Sequence, residues 1–126
     1  MSYSEPLPEG CPSDASVEID SEMRVFRLVK TFPVTLDDFR SQRAEKPGGL
    51  FKEVNECLAR GVSVFTDRVD AEQKALRLPR FRGFQVCPVR LTAGAGRIQP
   101  TFQPSHHTWW PLAKFDILAH CEMEEA

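Results

Sequence analysis

From Phe84 to Met123 the chain reads as successive short stretches of alternating apolar and polar residues, with only turn-forming residues between them. A parallel strand needs a crossover of a dozen or more residues, usually helical, and nothing in this part of the chain supplies one. A doubly wound sheet is therefore excluded, and a largely antiparallel one is expected.

The individual stretches support this. In Phe84–Leu91, Phe84 and Val86 alternate against Cys87, Val89 and Leu91, and Pro88 predicts an edge position or a bulge. Ala93-Gly94-Ala95-Gly96 is a turn leading into a weaker strand, Arg97–Phe102. It lacks the third glycine and following helix of a phosphate-binding loop. Lys114–Met123 has the cleanest alternation, predicting a strand with Phe115, Ile117, Ala119, Cys121 and Met123 inward. Between the last two lies Ser105-His106-His107-Thr108-Trp109-Trp110-Pro111, which the flanking Pro104 and Pro111 mark as an ordered loop.

Upstream, Met23–Lys30 alternates as a strand, with Phe26 and Leu28 on one face and Arg27 between Val25 and Val29 on the other. An arginine so placed is either half-buried and paired or lines a site. Thr35 and Asp38 spell a capping box, Val34 and Phe39 a hydrophobic staple, and the helix they start is expected over residues 36–44. A second helix over residues 50–60 would end at Gly61. Val62–Phe65 is a short strand, and Thr66 or Asp67 caps a third helix over residues 68–78, with Ala71, Ala75 and Leu78 on its inner stripe. The expected fold is thus a single α+β domain over residues 23–126, with about three helices inserted after the first two strands.

Residues 1–22 hold six acids and no Lys or Arg, together with three prolines, and are expected to form a disordered acidic tail. Residues 23–121 hold all 16 basic residues against nine acidic ones, a surplus of +7. From Gln73 to Phe115 there is no acid, but there are Lys74, Arg77, Arg80, Arg82, Arg90, Arg97 and Lys114, interleaved with Phe81, Phe84 and Phe102. Such a face meets solvent or a phosphate. The overall charge of −2 speaks against a nucleic-acid groove and leaves a small anion as the candidate ligand. No apolar run reaches bilayer length, and the N-terminus lacks a secretory signal pattern, so a cytoplasmic, membrane-free protein is expected. Cys11, Cys57, Cys87 and Cys121 form no C-x-x-C pair and are expected as buried free thiols.

The His-His-Thr-Trp-Trp run concentrates donors and stacking surface. Adjacent histidines point apart in an extended segment, so no metal set is expected there. The run either recognises a ligand or closes the sheet. On the first reading Arg27, Ser63, His106, His107 and Trp109 line a cleft for an anionic, nucleotide-like molecule, with Arg27 on its phosphate and Trp109 on its ring. No cofactor is implied, and Ser63 and Thr66 lack the G-x-S-x-G context of a nucleophile. A third possibility is a protein-interaction module, immunity or regulatory, anchored by Trp109 and Trp110.

Two resemblances add to this. Gly61-Val62-Ser63-Val64-Phe65-Thr66 followed by Ala71 and Ala75 resembles the strand-and-helix unit of ADP-ribosyltransferase-like domains. That likeness implies an NAD-consuming enzyme in which Arg27 or Arg24 helps to hold the dinucleotide. The late glutamate of that class has no counterpart between Gln73 and Phe115. Asp38-Phe39-Arg40-Ser41, the Gly-x-Ser strand and the His106–Trp110 element are similar to those of a set of small bacterial proteins of uncharacterised activity.

Overall fold

The computed structural model describes residues 2–51 and 54–122 of the chain. Its framework is one six-stranded sheet: β1 (Val17–Glu18), β2 (Met23–Val29), β3 (Val62–Phe65), β4 (Gln85–Leu91), β5 (Gly96–Pro100) and β6 (His106–Pro111), in the spatial order β1-β5-β6-β3-β2-β4. All neighbours pair antiparallel. Three helices, α1 (Gln42–Glu45), α2 (Glu56–Ala59) and α3 (Arg68–Arg77), complete a single-domain α+β fold. Among the described residues no helix is long and apolar enough to cross a membrane.

The alternation in β2 and β4 carries through to two cores. Val25, Val29, Cys87, Val89 and Leu91 fall on one face with Val62, Val64, Ile98 and Trp109. Phe26, Leu28, Phe84 and Val86 fall on the other with Phe65, Ala71 and Ala75. The small residues of α3 let its backbone lie close over that second face, and Asp67 caps its start by accepting from the Val69 N–H. Pro88, which cannot donate to a ladder, lies on the edge strand as expected.

The capping box forms, but it starts a 3₁₀ turn, Leu36–Phe39, rather than a long helix, and Ser41 then caps the separate short α1. Asp38 explains the break. Its buried carboxylate accepts from the Lys30, Thr31 and Thr35 amides and from the Thr31 hydroxyl, so it ties the turn back to the end of β2. Burial works against its charge, yet these donors outweigh it and hold the carboxyl below its ordinary range. Of the helix expected over residues 50–60, positions 52 and 53 lie outside the described residues, and the helical part within them is α2, capped by Asn55.

Further expectations are corrected. The His-Trp run is no loop: it is β6, paired with β3 on one side and β5 on the other. The prolines that suggested a loop are no obstacle, since Pro104 precedes the strand and Pro111 is its last residue. The segment expected as the last strand makes only a bridge from Cys121 to Val89. Ile117 adopts a helical backbone, Leu118–His120 form a 3₁₀ turn, and the Asp116 carboxylate accepts from Ala119, which is exposed. Phe115 and Ile117 still pack inward, so the apolar alternation reflects a chain wrapping over the core rather than a ladder; Met123 lies outside the described residues.

Another concerns residues 1–22. Instead of a solvated tail, residues 2–4 bond to residues 111–113, Val17–Glu18 pair with β5, and Ser16 and Ile19 are buried. Glu5 accepts from the Ser41 amide and hydroxyl, and Arg97 donates to the Ser16 hydroxyl and carbonyl. A Cys11–Cys57 disulfide pins the segment to α2, which also revises the expectation of four free thiols; Cys87 and Cys121 remain free.

Candidate functional site

Over the second face of the sheet, α3 and the turn Pro79–Phe81 stand opposite the segment 37–51, and between them is a cleft of about 350 Å³. That volume lies at the lower end of the range of small-molecule sites, about 300–1,000 Å³. Arg27, Ser63 and Phe65 contribute from the sheet, and Lys74, Arg80 and Phe81 from α3 and the turn after it. Arg40, Glu45, Lys46 and Phe51 line the opposite wall.

Arg27 builds the site. Its Nε donates to the Asp38 carbonyl at 2.9 Å, Nη1 to the Ser63 carbonyl at 2.9 Å and Nη2 to the Arg40 carbonyl at 3.3 Å. The β2–β3 ladder pairs only Phe26 with Phe65, so the guanidinium joins the two strands just past that point and fastens the far wall to them. Three of its five N–H groups are used in these bonds. Burial lowers its pKa, and Glu45 and Asp38 act in the opposite direction.

Lys74 is half-buried, whereas Lys30, Lys46 and Lys114 are exposed. Among the described residues no carboxylate lies within 4 Å of its amine. Its Nζ is 5.4 Å from the Phe65 ring centroid and 5.9 Å from that of Phe81. Burial, then Arg80, Arg27 and Arg77, lower its pKa. Arg80 lies over Phe81, 4.9 Å from the ring centroid.

Of the residues expected to form a site, Arg27 and Ser63 line this cleft; His106, His107 and Trp109 do not. Trp109 has no exposed surface, and its indole N–H donates to the Ala95 carbonyl at 3.0 Å. Trp110 is 1 % exposed and donates to the Cys57 carbonyl. Neither ring can stack on a ligand or anchor a partner, because period two sends them into opposite faces of a fully paired strand. His107 is half-buried against the Ser105 carbonyl. His106 is buried with Thr101 and Thr108 in a small polar network, edge-on to Phe65.

Sequence reasoning noted Lys74 and Arg80 only as members of a basic run and missed the wall at residues 37–51. The signal available was the capping box, which fixes Asp38 and therefore the carbonyls that Arg27 holds. Comparison with protein families, with curated proteins and with solved structures finds no match to the chain.

His106 carries a pH prediction. Burial, then Lys74, outweigh the opposing Thr101 hydrogen bond and push its pKa down from 6.5 to about 4. The fold thus holds a neutral imidazole. As pH falls below 6.5 the unfolded chain binds a proton that the folded chain excludes, so stability is complete above that value and drains away down to about pH 4. The loss amounts to about 3 kcal/mol. Urea unfolding between pH 7 and pH 4.5 should show this slope in the parent chain and a shallower one in His106→Gln. Identical slopes would contradict the neutral, buried imidazole.

Proposed function

We propose that this protein binds a small anionic ligand with a nucleotide-like combination of charge and flat ring, in the cleft between α3 and residues 37–51. The observation that carries this reading is the convergence of Lys74, Arg80 and Arg40 with Phe81 and Phe84 around one cavity. Guanidinium groups take phosphate or carboxylate through paired hydrogen bonds, and phenyl faces take the ring. Asp38 is committed to five donors, which leaves Asp37 and Glu45 as the cleft's other carboxylates for ligand hydroxyls. The ligand class is the one the sequence suggests, but the location moves from the His-Trp strand to the helical face.

The Cys11–Cys57 disulfide bears on where the protein works. Disulfides persist in oxidising compartments and are rare in the cytosol, so the reading favours such a compartment over the cytoplasm.

Thermal shift with ADP, NAD and sugar phosphates tests the proposal. A ligand present at a hundred times its Kd stabilises the fold by about 2.7 kcal/mol, enough to raise Tm by several degrees. Arg80→Glu, an exposed substitution, should erase the shift without lowering the ligand-free Tm. No shift with any of these compounds at millimolar concentration would remove the reading.

A further inference from the structure

We propose that Lys74 is a nucleophilic amine that condenses with the carbonyl carbon of an aldehyde- or keto-bearing anion held in this cleft. The inference rests on the anion-binding reading above and adds a reaction to it.

The position of the side chain comes first. Lys74 follows the fully buried Ala71 by three residues and precedes the inward-facing Ala75, so it belongs to the stripe of α3 that faces the sheet. A lysine on that stripe needs a reason. Partly buried cations elsewhere in the fold are held by acceptors, Arg43 and Arg60 by Glu56 and Arg27 by three carbonyls, whereas no carboxylate lies within 4 Å of the Lys74 amine among the described residues. Its neighbours are instead two phenyl rings and further cations. The rings attract an ammonium only weakly and accept no proton.

A lysine desolvated against apolar groups and beside other cations is one of the recognised ways of activating an amine. The depressed pKa of Lys74, caused by burial and then by Arg80, Arg27 and Arg77, agrees with the geometry. The same surroundings favour the neutral amine, with its lone pair free, more than those of an exposed lysine do. Arg80, beside it in the cleft, is placed to take the anionic group of a molecule whose carbonyl reaches Nζ.

The step balances without an oxidant or a reductant. The neutral amine forms a C–N bond to the carbonyl carbon, giving a carbinolamine. The C–O bond then breaks, and the oxygen leaves as water with the two protons the amine has lost. The product is an imine, which water returns to the starting pair.

Pyridoxal phosphate, an aldehyde carrying a phosphate, is a suitable probe. The full chain would be incubated with it at pH 7, reduced with borohydride to fix any imine, and digested to map label over the five lysines by mass spectrometry. The expected result is label at Lys74 roughly tenfold faster than at Lys30, Lys46, Lys52 or Lys114, as an activated amine requires. Lys74→Arg should lose that label and keep the Tm of the parent. Equal labelling of the five lysines overturns the inference. If ADP still shifts Tm while Lys74 takes no label, the anion site stands and the nucleophile falls. If pyridoxal without the phosphate labels Lys74 as fast as pyridoxal phosphate does, the nucleophile stands and the anion site falls.

Discussion

Trp109→Ala should destabilise the fold by about 4 kcal/mol, in the range of large-to-small changes at fully buried aromatic positions. The ring lies mid-strand in β6, in register with Val62 of β3 and Ile98 of β5, and meets the edge of Phe115 at 5.9 Å. Few side chains could collapse into the vacated space, because its strand neighbours on both sides are held by ladder hydrogen bonds. The substitution also strips one donor from the Ala95 carbonyl, which keeps only the Leu112 amide at 3.2 Å. Trp109→Phe retains a ring and should cost about half as much. Urea denaturation of the pair measures both. A cost below about 1 kcal/mol for the alanine variant would mean a surface ring rather than a core one.

Removing the Cys11–Cys57 disulfide should have an effect of similar size. It closes a loop with a sequence separation of 46, for which chain entropy gives about 4 kcal/mol. The bond also fixes the N-terminal segment against α2, whose Cys57 carbonyl in turn receives the Trp110 indole N–H at 2.9 Å. The Cys11→Ser, Cys57→Ser double variant should therefore lose about 4 kcal/mol and show faster amide exchange over residues 2–19. Unreduced chain unfolded in guanidinium should present two reactive thiols, those of Cys87 and Cys121, and four after reduction. Four before reduction would show that the bond is absent.

The parts of the fold that were legible in the sequence are those in which one local rule acts alone. Alternation placed β2 and β4, Pro88 narrowed β4 to an edge or a bulge, and Thr66 or Asp67 with the small residues Ala71 and Ala75 framed α3. The errors arose where two rules compete. Around β6 the proline rule suggests a loop, while Thr108, Trp109 and Trp110 favour a strand, and burial on both faces settled it for the strand. In Lys114–Met123 alternation alone suggests a strand, but the Asp116 side chain caps a turn instead. Residues 1–22 look too polar to order, and their anchor is a disulfide whose pairing four cysteines leave open among three choices.

The site was half legible for the same reason. An arginine between Val25 and Val29 announces either a clamp or a lining residue, and Arg27 is both. The placement of Lys74 and Arg80 across from residues 37–51 depends on how α3 crosses the sheet, which no local pattern encodes. Histidines and tryptophans stand out by residue type, yet the Nδ1 atoms of His106 and His107 and both indole N–H groups are taken by Thr101, Ser105, Ala95 and Cys57.

We propose that the cationic cleft, and not the His-Trp strand, is where this protein meets a ligand. Amide chemical-shift mapping with ADP tests it most directly. Saturable shifts should cluster at Gly61, Ser63, Phe65, Lys74, Arg80 and Phe81, with residues 106–111 quiet apart from His106 beside Phe65. Shifts centred on residues 107–111, or none at millimolar ADP, would contradict it.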